Sequence, residues 1–410
     1  MSIEYNLEYI NDFDMKQIYN NLSIDTEITS SNLLKLNEKL WIYNDMIYKI
    51  INYDKQYLTN DMVKSMGVFR SVIINDNKIV SFSPPKSLNY NLFQTLHPNF
   101  SEIKVEEYVE GTMINLFWNK TSWDISTKHT VGGKIIFFQN EDKTVTFRNM
   151  FMEICNEVNL DFEDLNKDYC YSFVMQHPKN RIVIPFGLKK LYLVKVYKID
   201  NYKIEDIDKT MVYETDFKDT CVELPCVMKY NTYEELYNTV SNMNNSYDMV
   251  GVMLHANNGD RSKVRNPSYE YVRRLRGNQP KLQYEYLSLR KTGKVKDFLK
   301  YYPEYKKQFY DYREQLHQYT TTLYVNYVNC YIKKEQPLLE YPVEFRTHMY
   351  TLHQQYINHL KDDKKHIHFH IVREYVNQLH PAQQMHVLNY NMKKQYIDCL
   401  KTDEYLEKDE

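Results

Sequence analysis

Five basic side chains sit in short polar contexts along this 410-residue chain. They are Arg70 in Phe69-Arg70-Ser71, Lys86 in Ser83-Pro84-Pro85-Lys86-Ser87, Lys128 in Ser126-Thr127-Lys128-His129-Thr130, and Lys263 with Arg265 in Arg261-Ser262-Lys263-Val264-Arg265. Lysine and arginine are charge-assisted donors to phosphate oxygens, arginine as a planar fork and lysine as a point charge. Among them lies Tyr108-Val109-Glu110-Gly111-Thr112. Gly111 lets the backbone approach a ligand closely. Tyr108 offers a phenol with an ordinary pKa of about 10, a weak nucleophile at neutral pH. Such a set suits holding an anion better than attacking one. The competing account is that the five are ordinary surface charges.

Composition bounds the rest. Hydrophobic residues make up 43% and charged residues 26%, enough apolar material for a globular core and too much for wholesale disorder. The length suits two or three domains. Net charge is −2, so the chain has no global polyanion-binding charge. Residues 261–320, however, hold 15 Lys and Arg against 6 Asp and Glu, a local basic stripe of the kind that meets polyanions. Tyrosine reaches 39 residues and glycine only 9, a mix that A+T-rich codons encode and that core filling explains. The six cysteines form no C-x-x-C pair or disulfide framework. With no apolar signal segment at the start and no apolar run of membrane-spanning length, the expectation is an intracellular protein with reduced thiols and no membrane partner.

These residues need elements to position them. Residues 1–60 read as short helices of mixed periodicity. Strands are expected at 69–74 and 78–82 around the turn Asn75-Asp76-Asn77, then at 113–118, 123–127, 170–176, 181–184 and 191–197. A helix at 233–243 and a strand at 249–255 follow. Beyond Pro267 the pattern is helical, over 284–292, 295–301, 305–328, 343–360, 370–380 and 382–400, with prolines between segments. His366, His368 and His370 alternate and would share one face of a strand, a zinc-like pattern. No matching carboxylate or cysteine completes it, and surface histidines are the expected reading.

In order and spacing, the segments around Arg70, Lys86, Tyr108, Lys128, Tyr171–Val183, Met249–Met253 and Lys263–Arg265 resemble phage T4-type RNA ligases, members of the covalent nucleotidyltransferases, over residues 65–275. His177-Pro178-Lys179-Asn180-Arg181-Ile182-Val183 is especially similar to that family's pattern. The resemblance implies an α+β nucleotidyltransferase core of antiparallel sheets with flanking helices at 61–275. An N-terminal helical segment at 1–60 precedes it and an all-helical domain at 276–410 follows. The helical part is similar to C-terminal regions of ligase-like proteins of large DNA viruses.

The departures matter as much. The family's nucleophilic lysine, which attacks the α-phosphate of a nucleotide, falls at Tyr108. Two of its carboxylates, which serve the ribose or a metal, fall at Val174 and Val250, and valine can neither accept a hydrogen bond nor ligate magnesium. Arg70, Lys86, Glu110, Gly111, Lys128, Lys263 and Arg265 remain at matching positions. The resemblance thus implies a pseudoenzyme that binds RNA ends or nucleotide phosphates without a lysyl-nucleotide. RNA is the expected partner, a nucleotide a second ligand, and a protein partner would dock on the helical domain. Two alternatives stand beside it. One is an active ligase or nucleotidyltransferase using ATP and magnesium with a relocated nucleophile such as Lys86, Lys104 or Lys128. The other is a structural interaction protein whose cleft is filled by Tyr108, Val174 and Val250.

Overall fold

The computed structural model describes residues 3–10, 13–14, 36–60, 62–135, 145–242, 244–279 and 281–391. The chain divides into two units, Met1–Arg273 and Arg274–Glu410. The first carries the strands β1 (Ile3–Asn6), β2 (Tyr9–Ile10), β3 (Phe13–Asp14), β4 (Leu36–Tyr43), β5 (Met46–Tyr53), β6 (Val72–Asn75), β7 (Lys78–Phe82), β8 (Lys104–Glu107), β9 (Thr112–Trp118), β10 (Trp123–Ser126), β11 (Tyr169–Gln176), β12 (Lys190–Asp200), β13 (Lys203–Ile207), β14 (Gly251–His255) and β15 (Arg261–Arg265).

Three sheets matter for the site. One is a meander in the order β4-β5-β6-β7, one is six-stranded in the order β1-β13-β12-β11-β9-β10, and one is β15-β14-β8. Their named pairings are antiparallel. The fold is therefore α+β with antiparallel sheets, as the resemblance implied.

Residues 36–53 correct the helical reading of the N-terminal segment. They form a hairpin turning at Asn44 (φ 49°) and Asp45 (φ 59°), the same left-handed pair that closes β6 and β7 at Asp76 (φ 46°) and Asn77 (φ 58°). Asn and Asp tolerate positive φ, and a two-residue turn of this kind matches strand twist. Because β5 pairs with β6, one sheet crosses the expected boundary at residue 60. The strand read at 181–184 is not formed; that segment is irregular after β11 ends at Gln176.

The meander packs on one face of the six-stranded sheet through Tyr48, Ile50, Phe82, Phe117, Cys170 and Tyr197. The other face is covered by the helices Phe147–Glu157 and Lys209–Asp216, with Phe151, Ile154, Phe173, Leu193 and Phe217 at the centre. The three-stranded sheet packs its own back on the helices Tyr90–Leu96 and Tyr233–Val240 through Phe93, Leu236, Val252 and Val264.

The second unit is helical: Leu282–Lys291, Val295–Tyr301, Lys306–Tyr327, Val343–Gln355, Phe369–Gln378 and Pro381–Leu388. Its core buries Leu287, Phe298, Phe309, Leu323, Met349 and Val372. Tyr286, Tyr302, Tyr319 and Tyr327 are buried with them, so several of the abundant tyrosines serve as core. The alternating histidines are not on a strand: His368 precedes the helix Phe369–Gln378, and His370 in its first turn contacts Glu374 at 3.2 Å. Among the described residues no helix is long and apolar enough to cross a membrane. Of the expected helix at 382–400 the described residues form Pro381–Leu388, while its residues 392–400 and the acidic tail at 402–410 lie outside them.

Candidate anion-binding cavity

The local structure that brings the basic residues together is built from strand ends. On β15, Arg261, Lys263 and Arg265 are half-buried while Ser262 and Val264 are buried, the period-two alternation that puts three cations on one face. Lys86 approaches this strand because its loop is tied down twice. Its own N–H donates to Gly67 O (2.9 Å), and Leu88 exchanges hydrogen bonds with Arg261 O (2.7 Å) and Ser262 Oγ (3.1 Å). Arg261 also donates to Pro85 O in that loop. Tyr108 continues the β8–β14 ladder, its N–H donating to Gly251 O at 3.1 Å. Arg70 follows the short turn Met66–Val68. Lys128 sits in a turn closed by Thr127 and Thr130, whose hydroxyls lie 2.8 Å apart.

Arg70, Lys86, Tyr108, Lys128, Val174, Lys263 and Arg265 all line one cavity of about 420 Å³. Its apolar part is Val109, Met113, Val174 and Val194; with the buried Tyr192, these form a small cluster of their own. The cavity also gathers Lys55, Arg261 and Arg273, together with Glu106 and Glu107. It is open, with Tyr108 in its wall.

Four residues that the sequence singled out lie elsewhere. The Glu110 carboxylate is buried and accepts the N–H groups of Val183 (2.6 Å) and Ile184 (3.2 Å), so it ties down the irregular segment that the sequence suggested as a strand. Gly111 (φ 150°) makes a close approach, but to protein: a Cβ there would lie 2.4 Å from Met175 O. Val250 is buried away from the cavity, its carbonyl accepting Asn266 N–H at 2.9 Å. Lys104 points to Glu106 (2.9 Å) and is not part of the lining.

The electrostatics are those of crowded positive charge. Arg265 forks between Glu270 (2.6 Å) and the Tyr108 hydroxyl (3.2 Å), and Arg273 shares Glu270 at 2.8 Å. Lys263 Nζ lies 5.9 Å from the Tyr108 ring centre, and Lys128 Nζ 5.1 Å from that of Tyr53. Burial pushes the Tyr108 phenol up, yet Lys263, Arg265 and Arg70 favour its anionic form and hold it below its usual value. Burial, then Lys55 and Arg70, bring Lys128 down to about 8. Burial also lowers Lys263 to about 8, with Arg265, Lys86 and Arg70 adding to it against the pull of Tyr108. Burial and Arg70 lower Lys86 as well. These are desolvated, mutually repelling cations.

Glu106 is committed elsewhere, to Lys209 (2.7 Å), Lys104 (2.9 Å) and His255 (3.3 Å). Burial opposes its ionisation, but the His255 hydrogen bond and Lys209 outweigh it and keep Glu106 ionised. Burial brings His255 down to about 4 against that carboxylate.

Sequence reasoning missed Lys55, and it held Arg261 and Arg273 only as unnamed members of the basic stripe at 261–320. Arg261 was detectable, because it stands two and four residues before Lys263 and Arg265 on one strand. Lys55 was hidden by the helical reading of the segment that precedes it.

Fold and cavity thus define an α+β protein with a cation-lined pocket formed among antiparallel sheets. No family model matches the chain. Over 107 residues it is 28% identical to an RNA ligase of Rhodothermus phage RM378, a stretch that is 25% of this chain and 24% of that ligase. The chain spans about a quarter of the length of this curated relative. Among solved structures it is similar to an archaeal ATP-dependent RNA ligase, with TM-score 0.39 and 12% identity, covering 63% of this chain and 64% of that one. It is also similar to a Naegleria gruberi RNA ligase, with TM-score 0.34 and 11% identity, covering 65% of this chain and 85% of the other. The likeness to RNA ligases drawn from the order of the motifs is thus met by a sequence match to a phage RNA ligase.

Proposed function

We propose that this chain is an RNA ligase-like protein that binds the phosphates of an RNA end or a nucleotide and forms no lysyl-nucleotide. The observation that carries the reading is the convergence of Arg70, Lys86, Lys128, Lys263 and Arg265 on one cavity that Tyr108 also lines, its hydroxyl accepting from Arg265. That position is the one at which the resemblance calls for lysine. An open cavity also speaks against a purely structural protein with a filled cleft. Charge-assisted donors on β15 and on the loops and turns beside it suit phosphate oxygens, and the apolar patch around Val174 offers no carboxylate for a ribose.

One observation favours a second reading. Lys128 and Lys263 are held near 8, and desolvation beside another cation is how a lysine amine is made nucleophilic. Incubation with labelled ATP and GTP in magnesium or manganese, followed by denaturing electrophoresis, separates the two. The binding reading expects no covalent label, together with salt-sensitive binding of 5′-phosphorylated RNA. An acid-labile label on the chain establishes the relocated nucleophile instead.

A further inference from the structure

The divalent metal that ligase-type nucleotide chemistry uses does not fit the cavity. Magnesium needs hard oxygen ligands in octahedral array, usually one or two carboxylates beside substrate phosphates. Of the two carboxylates in the lining, Glu106 is occupied by two lysines and a histidine. Glu107 lies against Tyr192 and Cys226. Val174, where the resemblance calls for an acid, packs against Val109 and Tyr192. Among the described residues no group of three His, Cys, Asp or Glu side chains is placed to hold a metal ion. Meanwhile Lys55, Arg70, Lys86, Lys128 and Lys263 line the same space, and no carboxylate among the described residues lies within ion-pair distance of them. By contrast, Arg265 and Arg273 share Glu270.

We infer that the cavity binds a terminal polyphosphate as the free, metal-less anion, with Lys55, Arg70, Lys86, Lys128 and Lys263 supplying the neutralising charge that a divalent ion would otherwise bring. The inference rests on the binding function proposed above. The physical reason is charge balance. A metal-bound polyphosphate carries two fewer negative charges, and its metal would enter a field of like charge in which Glu107 is the one lining carboxylate outside the Glu106 cluster. Binding also has a proton signature. An anion beside Lys128 and Lys263 raises both pKa values, so the complex takes up protons above about pH 8 and weakens as the pH rises further.

The test is calorimetric titration of the full chain at pH 7.0 and pH 9.0, each with EDTA and with excess magnesium. The probes are inorganic triphosphate, ATP and an RNA oligomer bearing a 5′-triphosphate, with the 5′-hydroxyl oligomer as control. The expected result is an affinity in EDTA at least equal to that in magnesium, and several-fold weaker binding at pH 9.0. Tighter binding of the triphosphorylated RNA than of ATP identifies the source as an RNA end, and the reverse order identifies a free nucleotide. Binding seen only with magnesium, or tightened several-fold by it, overturns the inference and leaves the binding function standing. Binding of no phosphate probe under either condition overturns the binding function and the inference together. Because the comparison uses the unaltered chain, no variant has to fold for the answer to count.

Discussion

Two stretches of the first unit carry matching positions of the same resemblance and use them differently. On β15, Lys263 and Arg265 present their charges to the cavity. In the segment after β8, Glu110 and Gly111 turn inward, one accepting the N–H groups of residues 183 and 184, the other passing Met175 O. A motif position therefore conflates two jobs, facing the cavity and holding the strands that line it. The first is visible as a charge on a half-buried face, the second as a polar group or glycine enclosed by backbone.

The sharpest way to break this contrast is Gly111→Ala. A Cβ would sit 2.4 Å from Met175 O at φ 150°, so we expect a loss of at least about 3 kcal/mol, read as a large drop in the unfolding midpoint. A variant that unfolds normally but binds no phosphate would return Gly111 to the ligand.

Next in size, Lys263→Met with Arg265→Met should lower affinity for 5′-phosphorylated RNA roughly tenfold to a hundredfold. The salt slope should fall by about 1.4, at about 0.7 per phosphate contact on a single strand. An unchanged slope would move the binding surface away from β15.

Glu110→Gln belongs to the holding side. It weakens two charge-assisted hydrogen bonds, and we expect a cost of about 1–3 kcal/mol in denaturant titration, with RNA affinity preserved in the folded fraction. Loss of binding at unaltered stability would contradict the role assigned to its carboxylate.

A smaller effect comes from the crowded lysines. Lys128 has a folded pKa of about 8 against an ordinary 10.5, so between those values the unfolded chain holds more protons and stability rises with pH. Lys128→Met should abolish that part of the rise and lift the melting temperature at pH 7 by about 2 °C while weakening phosphate binding. A lower melting temperature would mean that the charge is already compensated.

Smallest of all, Tyr108→Lys should leave nucleotide labelling at background, since a repaired nucleophile without its companions yields little when catalytic parts act as a unit. Strong labelling would show that the apolar patch at Val174 is no obstacle.

What the sequence made legible follows the same division. The turn at Asp76 and Asn77 is local and was read; the alternation on β15 is just as local, but it was passed over. The equivalent turn at Asn44 and Asp45 was overlooked because Met46–Tyr53 is almost continuously apolar, and such a run fits a buried helix as well as a strand. The Ile182–Ile184 stretch has strand-like residues, but its N–H groups are claimed by Glu110, some 70 positions earlier in the chain, which no local pattern reports. Gly111 was assigned to a ligand because closeness is all that a glycine announces; what it is close to is a tertiary fact. Lys55 joined the cavity through long-range packing, and the basic stripe did not say that Arg273 of all its members would line it.

The three cations of β15 also set a unit of length. Every second residue of an antiparallel strand stands about 6.8 Å from the last, so Arg261, Lys263 and Arg265 mark equal intervals along a sheet edge that Leu88 anchors to the Lys86 loop. Charges at fixed intervals measure a backbone and are blind to its bases. If the binding function proposed above holds, such a strand would meet successive phosphates at a fixed spacing whatever message their chain spells.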